Sequence, residues 1–117
     1  MSDANLERVL RQLRTAYIAE GPQRLAELDA AISSLGSGTP GAAKDLARLF
    51  HRLAGSGGSY GLHTVTSTAR AGERLADGLV ASGSAPTSGQ LAELGAHMVA
   101  LGTAFEAART QDFPPLV

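Results

Sequence analysis

The 117-residue, 12.0 kDa chain has the length of one domain, which excludes a second core of any size. A hydrophobic fraction of 44% supports an apolar interior, and only 4% aromatic content with no Trp makes that interior one of Leu and Ala. Ten basic and eleven acidic residues leave a net charge of -1, against a general nucleic-acid or membrane-surface binder, and the absence of Cys excludes disulfide scaffolds, thiol nucleophiles and thiolate zinc sites.

Gly and Pro divide the chain into helical stretches. Over residues 5–20 apolar side chains fall at Leu6, Val9, Leu10, Leu13, Ala16 and Tyr17, the i, i+3, i+4, i+7 pattern of an amphipathic helix. Ser2 or Asp3 offers its N-cap. Gly21-Pro22 breaks or kinks the chain, and Pro suits the first turn of the following helix. That helix carries Leu25, Leu28, Ile32 and Leu35 and ends in the turn-rich run of residues 36–41. A third helix begins near Ala42, reaches the glycines at 57–58 and carries Leu46, Leu49, Phe50 and Leu53. The fourth begins near His63 or Thr64, with Val65, Ala69, Leu75, Ala76 and Leu79. Residues 82–88 form a second loop. The last helix carries Leu91, Leu94, Met98, Leu101 and Phe105.

No segment alternates with period two for long enough to make a strand. Short connectors imply antiparallel neighbours. The expected fold is all-α, an antiparallel up-and-down four-helix bundle with an additional N-terminal helix. Residues 1–112 form the single domain and 113–117 a loose C-terminal tail. A monomer is expected, on the reasoning that the bundle consumes each helix's one apolar stripe. No apolar run approaches the roughly 20 residues of a membrane span. The N-terminus lacks the apolar core of a signal peptide, so the expected location is cytoplasmic.

Residues 51–62 read His-Arg-Leu-Ala-Gly-Ser-Gly-Gly-Ser-Tyr-Gly-Leu. Each Gly inside a helix costs about 1 kcal/mol relative to Ala, so Gly55, Gly57, Gly58 and Gly61 call for a reason beyond helix stability. At about 100° per residue, His51 lies roughly 140° from the centre of the stripe formed by Leu46, Leu49, Phe50, Leu53 and Gly57. It therefore points to solvent. Lys44, Arg48 and Gly55 share its face, with Ala47, Ala54 and Gly58 on its flank. Small neighbours let a macromolecule approach closely, and an exposed imidazole is a nucleophile or proton carrier that such a partner can reach. Charge concentrates in the same region. From Lys44 to Arg74 the segment is +3, while the rest of the chain is -4. Arg48, Arg52, Arg70 and Arg74 supply cations that suit an acidic surface or a phosphoryl group.

This segment resembles the signature of histidine-containing phosphotransfer (HPt) domains of bacterial phosphorelays. The resemblance rests on His51, Leu53 at +2, Gly55 at +4 and Gly61 at +10. It implies that His51 is the phosphoacceptor, that Gly55 leaves room for the partner's active site, and that Gly61 turns the chain. It also implies that Glu73, at +22, holds the imidazole through Nδ1 and leaves Nε2 free. The chain departs from the pattern at +3, where the usual Lys is Ala54; Arg48, Arg52, Arg70 or Arg74 would then supply the cation. The implied protein is a stand-alone relay intermediate without kinase activity of its own, accepting phosphate from a phospho-aspartyl receiver and passing it to another. Its partners would be receiver domains of response regulators and hybrid histidine kinases. It would bind no cofactor itself, Mg²⁺ being supplied by the receiver. The alternative is an HPt-like module that docks receivers without transferring phosphate, for which Ala54 is the main support. His63 and His97 read as structural or boundary residues, and no ligand spacing suggests a metal site.

Overall fold

The computed structural model describes residues 3–114 and contains five helices and no strand among them. The first, α1, spans Asp3–Ala19, and α2 spans Gly21–Gly36. Only Glu20 separates them, itself in helical conformation with its N–H bonded to the Ala16 carbonyl. Pro22 has no N–H to donate, so the ladder is broken there and the two helices form one kinked rod. Gly21 permits a close contact at the kink, since a Cβ there would lie 2.8 Å from Phe105 Cγ. Of the two proposed caps, Ser2 lies outside the described residues and Asp3 is the first helical residue.

The helices α3 (Ala42–Ser59), α4 (His63–Ser82) and α5 (Ser88–Ala108) follow the boundaries expected from the turn residues. Their ends have identifiable chemistry. Gly61, at φ +75°, closes α3: its N–H bonds to the Gly58 carbonyl and the Leu62 N–H to the Gly57 carbonyl, a Schellman ending. The left-handed conformation is what requires Gly at this position. A capping box opens α5, with the Thr87 hydroxyl accepting from the Gln90 N–H and the Gln90 side chain accepting from the Thr87 N–H.

Helices α2, α3, α4 and α5 pack in a ring, each against two others, around Leu28, Leu46, Phe50, Val65, Leu94 and Leu101, all fully buried. Leu25, Leu49, Leu75, Leu91 and Met98 pack at the margin. This is the four-helix bundle expected from the sequence. No helix among the described residues is long and apolar enough to cross a membrane.

The additional helix α1 behaves differently. Its buried residues are Arg14, Tyr17 and Ile18, all near its C-terminal end. Leu6, Val9 and Leu13 remain 37%, 37% and 48% exposed. The bundle therefore does not consume the first helix's apolar stripe, and the premise behind the expected monomer fails for this helix. Length accounts for the difference. The molecule is 53 Å long, whereas the 21 residues of α5 span about 31 Å at ~1.5 Å per residue, so the first turns of α1 overhang the bundle. The expected loose tail also needs correction at Phe113. That ring is half-buried and lies 4.1 Å from the guanidinium carbon of Arg14, a cation–π contact that shields an otherwise costly buried charge. Residues 115–117 of the tail lie outside the described residues.

Candidate functional site

Close packing of α3 on α4 places the site. The seam is lined by small residues and runs antiparallel. A Cβ on Gly72 would sit 2.5 Å from Phe50 Cε1, and one on Gly57 would sit 2.9 Å from Thr66 Oγ1. The Thr66 hydroxyl donates to the Ala54 carbonyl at 2.9 Å, a buried bond from α4 to the backbone of α3. Ala47 and Ala54, on the flank of the exposed face by helical phase, are buried because α4 covers them.

At the outer edge of this seam His51 Nδ1 lies 2.7 Å from Glu73 Oε2. The imidazole side chain is 75% exposed, whereas that of Glu73 is only 23% exposed. A carboxylate accepts and does not donate, so the bond selects the tautomer with the proton on Nδ1. Nε2, on the far side of the ring, then carries the lone pair. The result is an oriented nucleophile on an open helix face. The concavities elsewhere on the surface, between α1 and the C-terminal segment and beside the start of α4, do not include it.

The other site residues distribute unequally. Gly55 is one turn beyond His51 and exposed, and a Cβ there would meet nothing within 4 Å. Arg48 is exposed and paired with Asp45 at 3.6 Å. Arg52, Arg70 and Arg74 are exposed. Arg52 turns about 100° from His51, to the side away from α4. Arg74 likewise turns about 100° from Glu73, which carries it off the site. Arg70 precedes Glu73 by one turn on the same edge of α4. The antiparallel register that pairs residue 51 with 73 sets Arg70 level with Ala54. His63 is exposed at the start of α4 and His97 half-buried on α5; no group of acidic and His residues that could hold a metal occurs among the described residues.

Sequence reasoning missed the supports of the glycine-rich end of α3. The Ser56 hydroxyl donates to the Arg52 carbonyl at 2.8 Å, so the 2.6 Å contact with Tyr17 is a bond donated by the phenol. Tyr17 also stacks on Tyr60, with centroids 4.9 Å apart. No local pattern links residues 39 positions apart. Gly72 was legible only as a Gly inside a helix, with no sign that it receives Phe50.

The Hpt domain family model matches residues 12–111. No curated protein and no solved structure matches the chain. With an exposed imidazole oriented by a carboxylate on a four-helix bundle, and a family match over most of its length, the chain belongs to the Hpt domain family, whose members are histidine phosphotransfer modules of two-component phosphorelays.

Proposed function

We propose that this protein carries a phosphoryl group on His51 between receiver domains of response regulators or hybrid histidine kinases, as a cytoplasmic, stand-alone relay intermediate. The observation that carries this reading is the His51–Glu73 bond. In the forward step the Nε2 lone pair forms the N–P bond as the bond from phosphorus to the receiver's aspartyl oxygen breaks, and the carboxylate leaves with the electron pair. The imidazole becomes a cationic phosphoimidazolium that keeps its Nδ1 proton. Glu73 accepts a hydrogen bond from that proton and stabilises the charge as it develops. A divalent cation held by the receiver would supply the charge neutralisation of the phosphoryl oxygens. This chain provides positioning and a surface, which is most of what phosphoryl transfer asks of a protein.

Gly55 supports the docking role, because the space beside it is open on this chain's side. Arg70 is the cation that best fits the part of the family's missing Lys, standing level with Ala54 on the edge of α4 that bears Glu73. Arg48 is partly neutralised by Asp45, and Arg52 and Arg74 contribute to the long-range field that attracts an acidic partner.

The test is transfer from a phosphorylated receiver to the purified chain and to its His51→Gln variant. An acid-labile, base-stable label on the wild type alone is the expected result. A folded wild type that takes no label from a broad panel of receivers, yet binds them, would replace this reading with a docking module.

A further inference from the structure

The concavity between α1 and the segment after α5 has a volume of about 490 Å³. That is within the roughly 300–1,000 Å³ typical of small-molecule sites. On α1 it faces about 130° away from the exposed stripe of Leu6, Val9 and Leu13. Arg14 lines it and is only 6% exposed. Charges this deeply buried are ordinarily paired. Among the described residues, however, no carboxylate forms an ion pair with Arg14 and no oxygen accepts a hydrogen bond from it. The Phe113 ring, also in the lining, covers one face of the guanidinium. Stacking on that face leaves the N–H donors, which lie in the guanidinium plane, without acceptors.

We infer that this concavity binds a small organic monoanion, a carboxylate on an apolar body, with the carboxylate accepting hydrogen bonds from Arg14. Three features select that class. The buried guanidinium offers a planar fork that matches a carboxylate. Ile18, Ala108 and Phe113 supply an apolar wall beside it, which a bare inorganic ion would leave uncovered. Glu7 and Asp112 also line the concavity, so a dianion such as a phosphate ester meets repulsion there that a single charge meets less. Arg11 and Arg109 add positive potential, although Arg109 is already held by Glu106 at 3.2 Å. The site includes neither His51 nor Glu73, so the inference stands apart from the proposed phosphotransfer.

Titration of the ¹⁵N-labelled full chain with phenylacetate, phenylacetamide and inorganic phosphate, followed by NMR, tests the site. Phenylacetate is expected to shift the Arg14 Nε–H signal and the Ala108 and Phe113 amides saturably, with the millimolar affinity of so small a probe. Phenylacetamide keeps the shape without the charge, and phosphate keeps charge without the apolar body. Each is expected to bind at least about tenfold more weakly, the worth of a charge-assisted hydrogen bond or a buried ring. Arg14→Met removes an unpaired buried charge, so it is expected to keep its helical content and lose the saturable shifts. Arg14→Lys keeps the charge without the fork and is expected to bind a few-fold more weakly than the wild type. No saturable shift at these residues in the wild type, phenylacetamide binding as tightly as phenylacetate, or a folded Arg14→Met that still binds would each overturn the inference. Phosphate binding more tightly than phenylacetate would overturn it in favour of a phosphate site. The comparison of the three probes on the wild type decides the matter even where Arg14→Met does not fold.

Discussion

Gly55 offers a direct separation of stability from function. It sits inside α3 with a negative φ, is exposed, and has nothing within 4 Å of where a Cβ would stand. Nothing within the chain asks for Gly there. Replacing it by Ala removes the backbone-entropy penalty of a helical Gly, a gain of about 0.5–1 kcal/mol. For a domain of this size that raises Tm by roughly 2–5 °C. The same methyl stands one turn from His51, on the face that the proposed transfer presents to a receiver. Gly55→Ala is therefore expected to melt higher and accept phosphate more slowly, and Gly55→Leu to lose most of its transfer while staying folded. Gly95 is the control. It too has open space around its Cβ position, but lies on α5, diagonal to α3 in the bundle. Gly95→Ala should stabilise to a similar degree and leave transfer alone. Thermal unfolding by circular dichroism and the rate of label transfer from a phospho-receiver measure the two effects. Transfer at the wild-type rate by Gly55→Leu, or a lower Tm for Gly55→Ala, would refute the reasoning.

Removing the carboxylate with Glu73→Ala should slow phosphoryl acceptance about tenfold, the worth of a partly exposed charge-assisted hydrogen bond, while Glu73→Gln, which can still accept from Nδ1, should fall between it and the wild type in a single-turnover assay. Gly72→Ala drives a methyl to 2.5 Å from the fully buried Phe50 ring; overpacking of about 1–3 kcal/mol outweighs the helix-propensity gain, so urea unfolding should show a net loss of about 1–2 kcal/mol, partly restored by Phe50→Leu. Arg70→Ala should slow transfer by about threefold at low salt and much less at ~1 M salt, where screening shortens to ~3 Å; Ala54→Lys in that background should recover the rate.

Much of the fold was legible because helix limits here are set by local chemistry. Gly21-Pro22, the glycines of residues 36–41, Gly61 and the loop after Ser82 all mark real ends. The phase of His51 was equally local: five neighbours on α3 suffice to place it outward. Glu73 was reached only through the resemblance, since nothing within α4 distinguishes it from a solvated Glu. The misreading of α1 has a different cause. Periodicity finds an apolar stripe but cannot tell whether the rest of the chain extends far enough to cover it. Arg14 illustrates the same limit from the other side. A guanidinium at 6% exposure is intelligible only once Phe113, far along the chain, is seen to stack on it.

The glycines around the site divide into two kinds, and the division explains how a bundle core comes to specify a surface reaction. Gly57 and Gly72 face the α3–α4 seam, where side chains would collide with Thr66 and Phe50. Their small size lets the two helices approach until a side chain as short as Glu spans the gap and meets His51 at 2.7 Å. Gly55 faces outward and meets nothing. The inward pair thus sets the distance between the imidazole and its carboxylate, and under the proposed function the outward one sets how near a partner's phosphoryl group can come. A methyl at 72 should weaken the fold and loosen the His51–Glu73 bond together, whereas a methyl at 55 should strengthen the fold and obstruct only the encounter. Opposite signs on stability with the same sign on transfer are a combination that a general loss of folding cannot produce.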